Sequence, residues 1–171
     1  MGAADYIGKP FELTFLKSRI WRAIQALSKL RRPAAVSGSP AATVLVVEDD
    51  EVNRDLLVRR LNKAGHIAHV AANGTEALAL LNKQQYDLVL LDIMMAQMDG
   101  YQTLQKIRAL RARSDLPVIM VSALGDTASI ARCMELGADD YIMKPYNAVI
   151  LKERVLKLLA KKQQVDASND D

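Results

Sequence analysis

One pattern limits what this chain can fold into: a short continuous apolar run followed by a longer stretch of helical spacing, repeated five times. Val44–Val47 is the first run, apolar throughout, as expected of a strand buried on both faces. Leu56, Leu57, Arg60, Leu61 and Ala64 follow at helical spacing, and Gly65 ends that helix. His66–Ala71 reads as the second strand. Asn73-Gly74 is a turn, with Thr75 expected to cap a helix whose apolar side is Ala77, Leu78 and Leu81. Leu88–Leu91, Val118–Val121 and Tyr141–Met143 read as the remaining strands. Tyr101–Ala112, Ser129–Leu136 (closed by Gly137) and Ala148–Lys162 read as the helices between and after them.

Strands joined through helices must run parallel, because the helix carries the chain back to the starting edge. Five such units in residues 43–162 imply an α/β chain with a flavodoxin-like, doubly wound, five-stranded parallel sheet of order 2-1-3-4-5. In such a sheet the site forms beyond the carboxyl ends of the strands. Glu48, Asp49 and Asp50 follow the first strand, Asp92 the third, Ser122 the fourth, and Lys144-Pro145 the fifth. Crowded carboxylates repel one another and raise their own pKa values. A hard cation relieves this, and Mg²⁺ favours a few carboxylates with waters and phosphate oxygens. Acids, a hydroxyl and an amine at one edge suit phosphoryl transfer to a carboxylate. Singly, each is weak evidence: Glu48-Asp49-Asp50 could be a solvated helix cap, Ser122 a turn residue and Lys144 a surface lysine.

The segments "VLVVEDDEVNRDLL", "DLVLLDIMMAQMDG", "PVIMVSA" and "GADDYIMKP" resemble the motifs of response-regulator receivers, over about residues 43–162. The resemblance implies Asp92 as phosphoacceptor, with Mg²⁺ held by Glu48, Asp49, Asp92 and the backbone carbonyl of Met94. It implies Ser122 as the switch hydroxyl, Lys144 as the essential lysine, a cis Lys144–Pro145 peptide, and Tyr141 as an aromatic coupled to Ser122. The family usually has proline where this chain has Ala96, and more often aspartate than Glu48. Met94 and Leu124, two residues beyond Asp92 and Ser122, are apolar and cannot position an attacking water, so self-dephosphorylation should be slow.

The chain opens with a second copy of one of these motifs. "GAADYIGKPFELTFLKSRI" at residues 2–20 matches residues 137–155 at a constant offset of 135, and Tyr6, Lys9 and Pro10 stand where Tyr141, Lys144 and Pro145 do. Residues 1–32 therefore read as the fifth strand and helix of a preceding receiver. Residues 33–42, "PAAVSGSPAA", read as a linker, 43–162 as the receiver, and 163–171 as a disordered tail. The fragment has no acceptor aspartate or acidic pair. Its helix carries an apolar stripe of Leu16, Ile20, Ala23, Leu27 and Leu30 that could pair two chains into a homodimer.

Charge and composition narrow the partners. Residues 1–42 carry seven basic and two acidic side chains, while residues 43–171 carry sixteen and eighteen. The receiver lacks the basic excess of a nucleic-acid-binding domain. No apolar run approaches a membrane span, no leader is evident, and the single cysteine, Cys133, fits a reducing cytoplasm. The expected partner is a histidine kinase or phosphotransfer protein, with Mg²⁺ as cofactor and no turnover beyond self-phosphorylation and slow self-dephosphorylation. Local resemblance hints at an output through a class III nucleotide cyclase or another signalling enzyme. The competing reading is a docking module that no longer depends on phosphorylation. A metal-dependent phosphohydrolase is disfavoured, since such enzymes carry a second acid where this chain has Met94.

Overall fold

The computed structural model describes residues 40–169. The strands are β1 (Thr43–Val47), β2 (Ile67–Ala71), β3 (Leu88–Asp92), β4 (Val118–Ser122) and β5 (Asp140–Met143). The helices are α1 (Glu51–Lys63), α2 (Gly74–Lys83), α3 (Gly100–Ala109), α4 (Thr127–Glu135) and α5 (Ala148–Asn169). All neighbouring strands pair in parallel, in the order β2-β1-β3-β4-β5. This is the flavodoxin-like order expected from the alternation.

Each strand feeds two cores because its side chains alternate between faces. Leu45, Val47, Val89, Leu91, Val118 and Met120 point to one side and pack with Ala77, Leu81, Leu104, Ile107 and Cys133 of α2, α3 and α4. Val44, Val46, Leu88, Leu90, Ile119 and Val121 point to the other and pack with Leu57 and Leu61 of α1 and Leu151, Val155 and Leu158 of α5. Burial on both faces explains why the central strands read as unbroken apolar runs. Cys133 belongs to the first core, where burial pushes its thiol pKa up.

Among the described residues each α-helix begins on a side-chain cap. Asp50, Asn73, Asp99 and Asp126 accept the N–H of Asn53, Glu76, Gln102 and Ser129, and Asn147 accepts that of Ile150. Such a cap is worth about 1 kcal/mol. Gly65 and Gly137 follow α1 and α4 with φ of 89° and 93°, a conformation that favours glycine.

Several boundaries differ from the sequence expectation. Asn73, not Thr75, caps α2, because Glu76 reaches back to the Ala72 N–H at 2.8 Å and completes a reciprocal cap. Asp126 caps α4, which starts at Thr127, two residues before the expected Ser129. The expected helix Tyr101–Ala112 starts one residue earlier, at Gly100, and stops at Ala109; Arg111–Arg113 form a separate 3₁₀ turn. The segment expected to be a disordered tail continues α5 to Asn169; Gln163, Gln164 and Ala167 favour helix and neither Gly nor Pro interrupts the run. The repeated N-terminal motif, its apolar stripe and the linker up to residue 39 lie outside the described residues. Among the described residues no helix is long and apolar enough to cross a membrane.

Candidate functional site

The parallel sheet brings β1, β3, β4 and β5 to a common edge at their carboxyl ends. Glu48 follows β1 directly, and its N–H donates to the Ala71 carbonyl at 3.1 Å, which continues the β1–β2 pairing. Lys144 follows β5, and its N–H donates to the Ser122 carbonyl at 2.7 Å. The sheet thus sets the backbone of both residues before their side chains meet.

Glu48 is 1% exposed and Asp92 4%, whereas Asp49 is exposed. Carboxylate oxygens of all three lie within 4.8 Å of one another. Lys144 Nζ stands 2.6 Å from Glu48 Oε2 and 3.5 Å from Asp92 Oδ1. One ammonium therefore serves the two buried carboxylates, and the exposed Asp49 lies beside them without an ion pair among the described residues. Burial, followed by the charge of Glu48, raises the Asp92 carboxyl to about 6, while Lys144 and the Met94 backbone act in the opposite direction. All-oxygen donors of high charge density with room for water suit a hard cation such as Mg²⁺.

Ser122 is fully buried, and its Oγ accepts the Leu124 N–H at 3.1 Å. The Tyr141 hydroxyl donates to the Leu124 carbonyl. The backbone of Leu124 thus joins the two side chains. The Lys144–Pro145 peptide is cis. The Met94 side chain is 61% exposed beside the cleft. Asp50 stands apart from its two neighbours, because its carboxylate caps α1.

Three contributors escaped the sequence reading. Arg54 of α1 donates to the carbonyls of Glu48 at 3.0 Å and Asp49 at 3.3 Å, which braces the acidic loop. Gly100 seats the start of α3 on β3, where a Cβ would stand 2.3 Å from the Asp92 carbonyl oxygen. The only sequence trace of that contact is a glycine directly after a cap aspartate. The N–H of Ala96 donates to Asp49 Oδ2 at 3.1 Å. Backbone donors of this kind leave no mark in composition or spacing.

The sequence profile of the response regulator receiver domain matches residues 44–156. This chain belongs to that family. The receiver is 43% identical over 116 residues to "Probable transcriptional regulator ycf27" of Guillardia theta, a match covering 68% of this chain and 44% of that protein. It is 36% identical over 118 residues to the transcriptional regulatory protein AfsQ1 of Streptomyces coelicolor, covering 68% and 51%. The chain thus spans about half the length of these curated relatives. Among solved structures, the receiver domain of a Syntrophus aciditrophicus signal transduction histidine kinase superposes with a TM-score of 0.67 at 33% identity, covering 71% of this chain and 92% of that one. The receiver domain of a sensor histidine kinase from Pseudomonas aeruginosa, with a magnesium ion coordinated in its active site cleft, gives 0.66 at 27%, covering 70% and 98%. Family membership makes this a two-component signalling domain. The hint of a nucleotide cyclase output finds no support in these two curated relatives, whose names refer to transcription.

Proposed function

We propose that this receiver is a phosphorylation switch whose acceptor is Asp92. A histidine kinase or phosphotransfer protein presents a phosphohistidine. An Asp92 carboxylate oxygen attacks phosphorus, the phosphorus–nitrogen bond breaks, and the imidazole keeps the electron pair. Glu48, Asp49, Asp92 and the Met94 carbonyl would hold Mg²⁺, which supplies positive charge to the transferring phosphoryl oxygens. Lys144, at 2.6 Å from Glu48 and 3.5 Å from Asp92, would pair with a phosphoryl oxygen. Ser122 exchanges the Leu124 N–H for that phosphoryl group. Leu124 also holds the Tyr141 hydroxyl, so the exchange loosens Tyr141 and changes the α4–β5–α5 surface.

The observation that carries this reading is a cluster of three carboxylates with one lysine, which pairs with Glu48 and Asp92 only, and with Asp92 held at about 6. The magnesium in the cleft of the Pseudomonas receiver supports the choice of cation. The switch belongs to the cytoplasm, and its output runs through a joined domain or a docked partner. The names of the curated relatives favour gene expression as the endpoint. Residues 1–32 are read as the end of a preceding receiver, a tandem arrangement.

Intact-mass measurement after incubation with acetyl phosphate and Mg²⁺ tests the proposal. One phosphoryl adduct is expected, absent from Asp92→Ala, and it should persist for minutes or longer because Met94 and Leu124 offer attacking water no polar group. Absence of the adduct in folded protein that binds Mg²⁺ would favour the phosphorylation-independent docking module instead.

A further inference from the structure

The three acids of the cleft are held in different ways. Glu48 and Asp92 are buried and face Lys144 at 2.6 and 3.5 Å. Asp49 is exposed, and among the described residues its carboxylate enters no ion pair. Its restraint is the hydrogen bond from the Ala96 N–H to Oδ2, at 3.1 Å. That bond ties the loop after β3 to the loop after β1 across the mouth of the cleft.

The donor is itself anchored. Met95, one residue earlier, is 9% exposed within the core, and its N–H donates to the Ile93 carbonyl at 3.1 Å. One residue later the chain turns through Gln97 with φ of 68°. The direction of the Ala96 N–H is therefore set by the loop backbone and not by its side chain. Proline, the usual family residue here, has no N–H to offer. The departure at Ala96 gives this receiver a contact that the common residue cannot make.

We propose that the Ala96 backbone N–H is a positioning group for Asp49. It orients the exposed carboxylate toward Glu48 and Asp92 before a cation arrives, so less side-chain freedom is lost on binding. The inference rests on the reading of these acids as a Mg²⁺ site.

Two measurements on the full chain test it. The first uses metal-free protein and reads amide hydrogen exchange at Ala96. Exchange should be slow in the unmodified chain and about tenfold faster in Asp49→Ala, as expected when a local hydrogen bond is lost. Equal exchange in the two proteins overturns the contact, even if Mg²⁺ binds normally. The second is calorimetric Mg²⁺ titration of Ala96→Pro and Ala96→Gly. Proline should weaken binding about three- to tenfold, as expected for losing a hydrogen bond to a charged group near solvent, while glycine keeps the N–H and stays within about twofold. Equal affinity in the proline variant overturns the positioning role. An unmodified chain that binds no Mg²⁺ while Ala96 remains protected would overturn the metal reading, and the positioning role with it.

Discussion

The two ends of the sheet use the same residue types for opposite ends. At the amino-terminal edge two carboxylates meet donors that secure the start of a strand. Asp87, just before β3, accepts the N–H of Thr43 at 2.8 Å and faces Lys162 of α5 at 3.3 Å. Asp139, just before β5, accepts the N–H of Val118 at 2.9 Å and Arg108 Nη2 at 2.9 Å. Arg108 also donates to the carbonyls of Leu116 at 2.7 Å and Gly137 at 2.8 Å. At the carboxyl-terminal edge three carboxylates crowd together, only Glu48 and Asp92 meet the single lysine, and Asp92 is raised to about 6. One edge uses charge to hold the scaffold together. The other keeps an unmet demand for positive charge, which a cation and a phosphoryl-transfer partner can satisfy.

Substitutions should separate the two edges. Arg108→Ala removes bonds to three backbone carbonyls, those of Arg113, Leu116 and Gly137, and to Asp139, and should lower unfolding stability by about 2–4 kcal/mol in urea titrations. Its folded fraction should still take up phosphoryl at the unmodified rate. A large loss of rate with little loss of stability would break the comparison. Gly100→Ala forces a Cβ to within 2.3 Å of the Asp92 carbonyl oxygen, and should cost about 1–3 kcal/mol. Because that oxygen belongs to the proposed acceptor, phosphoryl uptake should fall along with stability.

Asp92→Asn should act in the opposite direction in metal-free protein. The Asp92 carboxyl sits at about 6 in the folded chain against an ordinary 3.8, so the folded state binds the proton more tightly. Its contribution to stability is complete below the ordinary value and is lost as pH rises through the folded value. At neutral pH the ionised carboxylate thus opposes folding. Discounted for water reaching the cleft, removing it should stabilise the chain by about 1–2 kcal/mol, a gain that disappears at about pH 4. Urea titrations across that pH range, with EDTA present, read this directly. The smallest effect belongs to Lys162→Met, whose partly exposed pair with Asp87 should change stability by about 0.5 kcal/mol or less.

The sequence made the strand ends legible because a parallel α/β sheet has only one edge at which its functional loops can gather. Glu48, Asp49, Asp92, Ser122, Tyr141 and Lys144 all follow from that rule together with the receiver motifs. The triplet Glu48-Asp49-Asp50 was harder to divide. Composition cannot distinguish a site carboxylate from the cap on α1, which Asp50 proved to be. Asn73 was missed as a cap because its partnership with Glu76 depends on where α2 begins. Ala96 and Gly100 act through a backbone N–H and through the absence of a side chain, and neither property shows in a pattern of residue types. The course of α5 beyond Lys162 was misjudged because polar composition was weighed above helix propensity, and these residues have both.

The most direct test of the unmet charge at the carboxyl-terminal edge is the titration of the Asp92 carboxyl carbon by nuclear magnetic resonance in metal-free protein, repeated with saturating Mg²⁺. The expected result is an apparent pKa of about 6 without metal and a clear fall once the cation is bound. An ordinary carboxylate value in the metal-free chain, unchanged by Mg²⁺, would contradict the difference drawn between the two ends of the sheet.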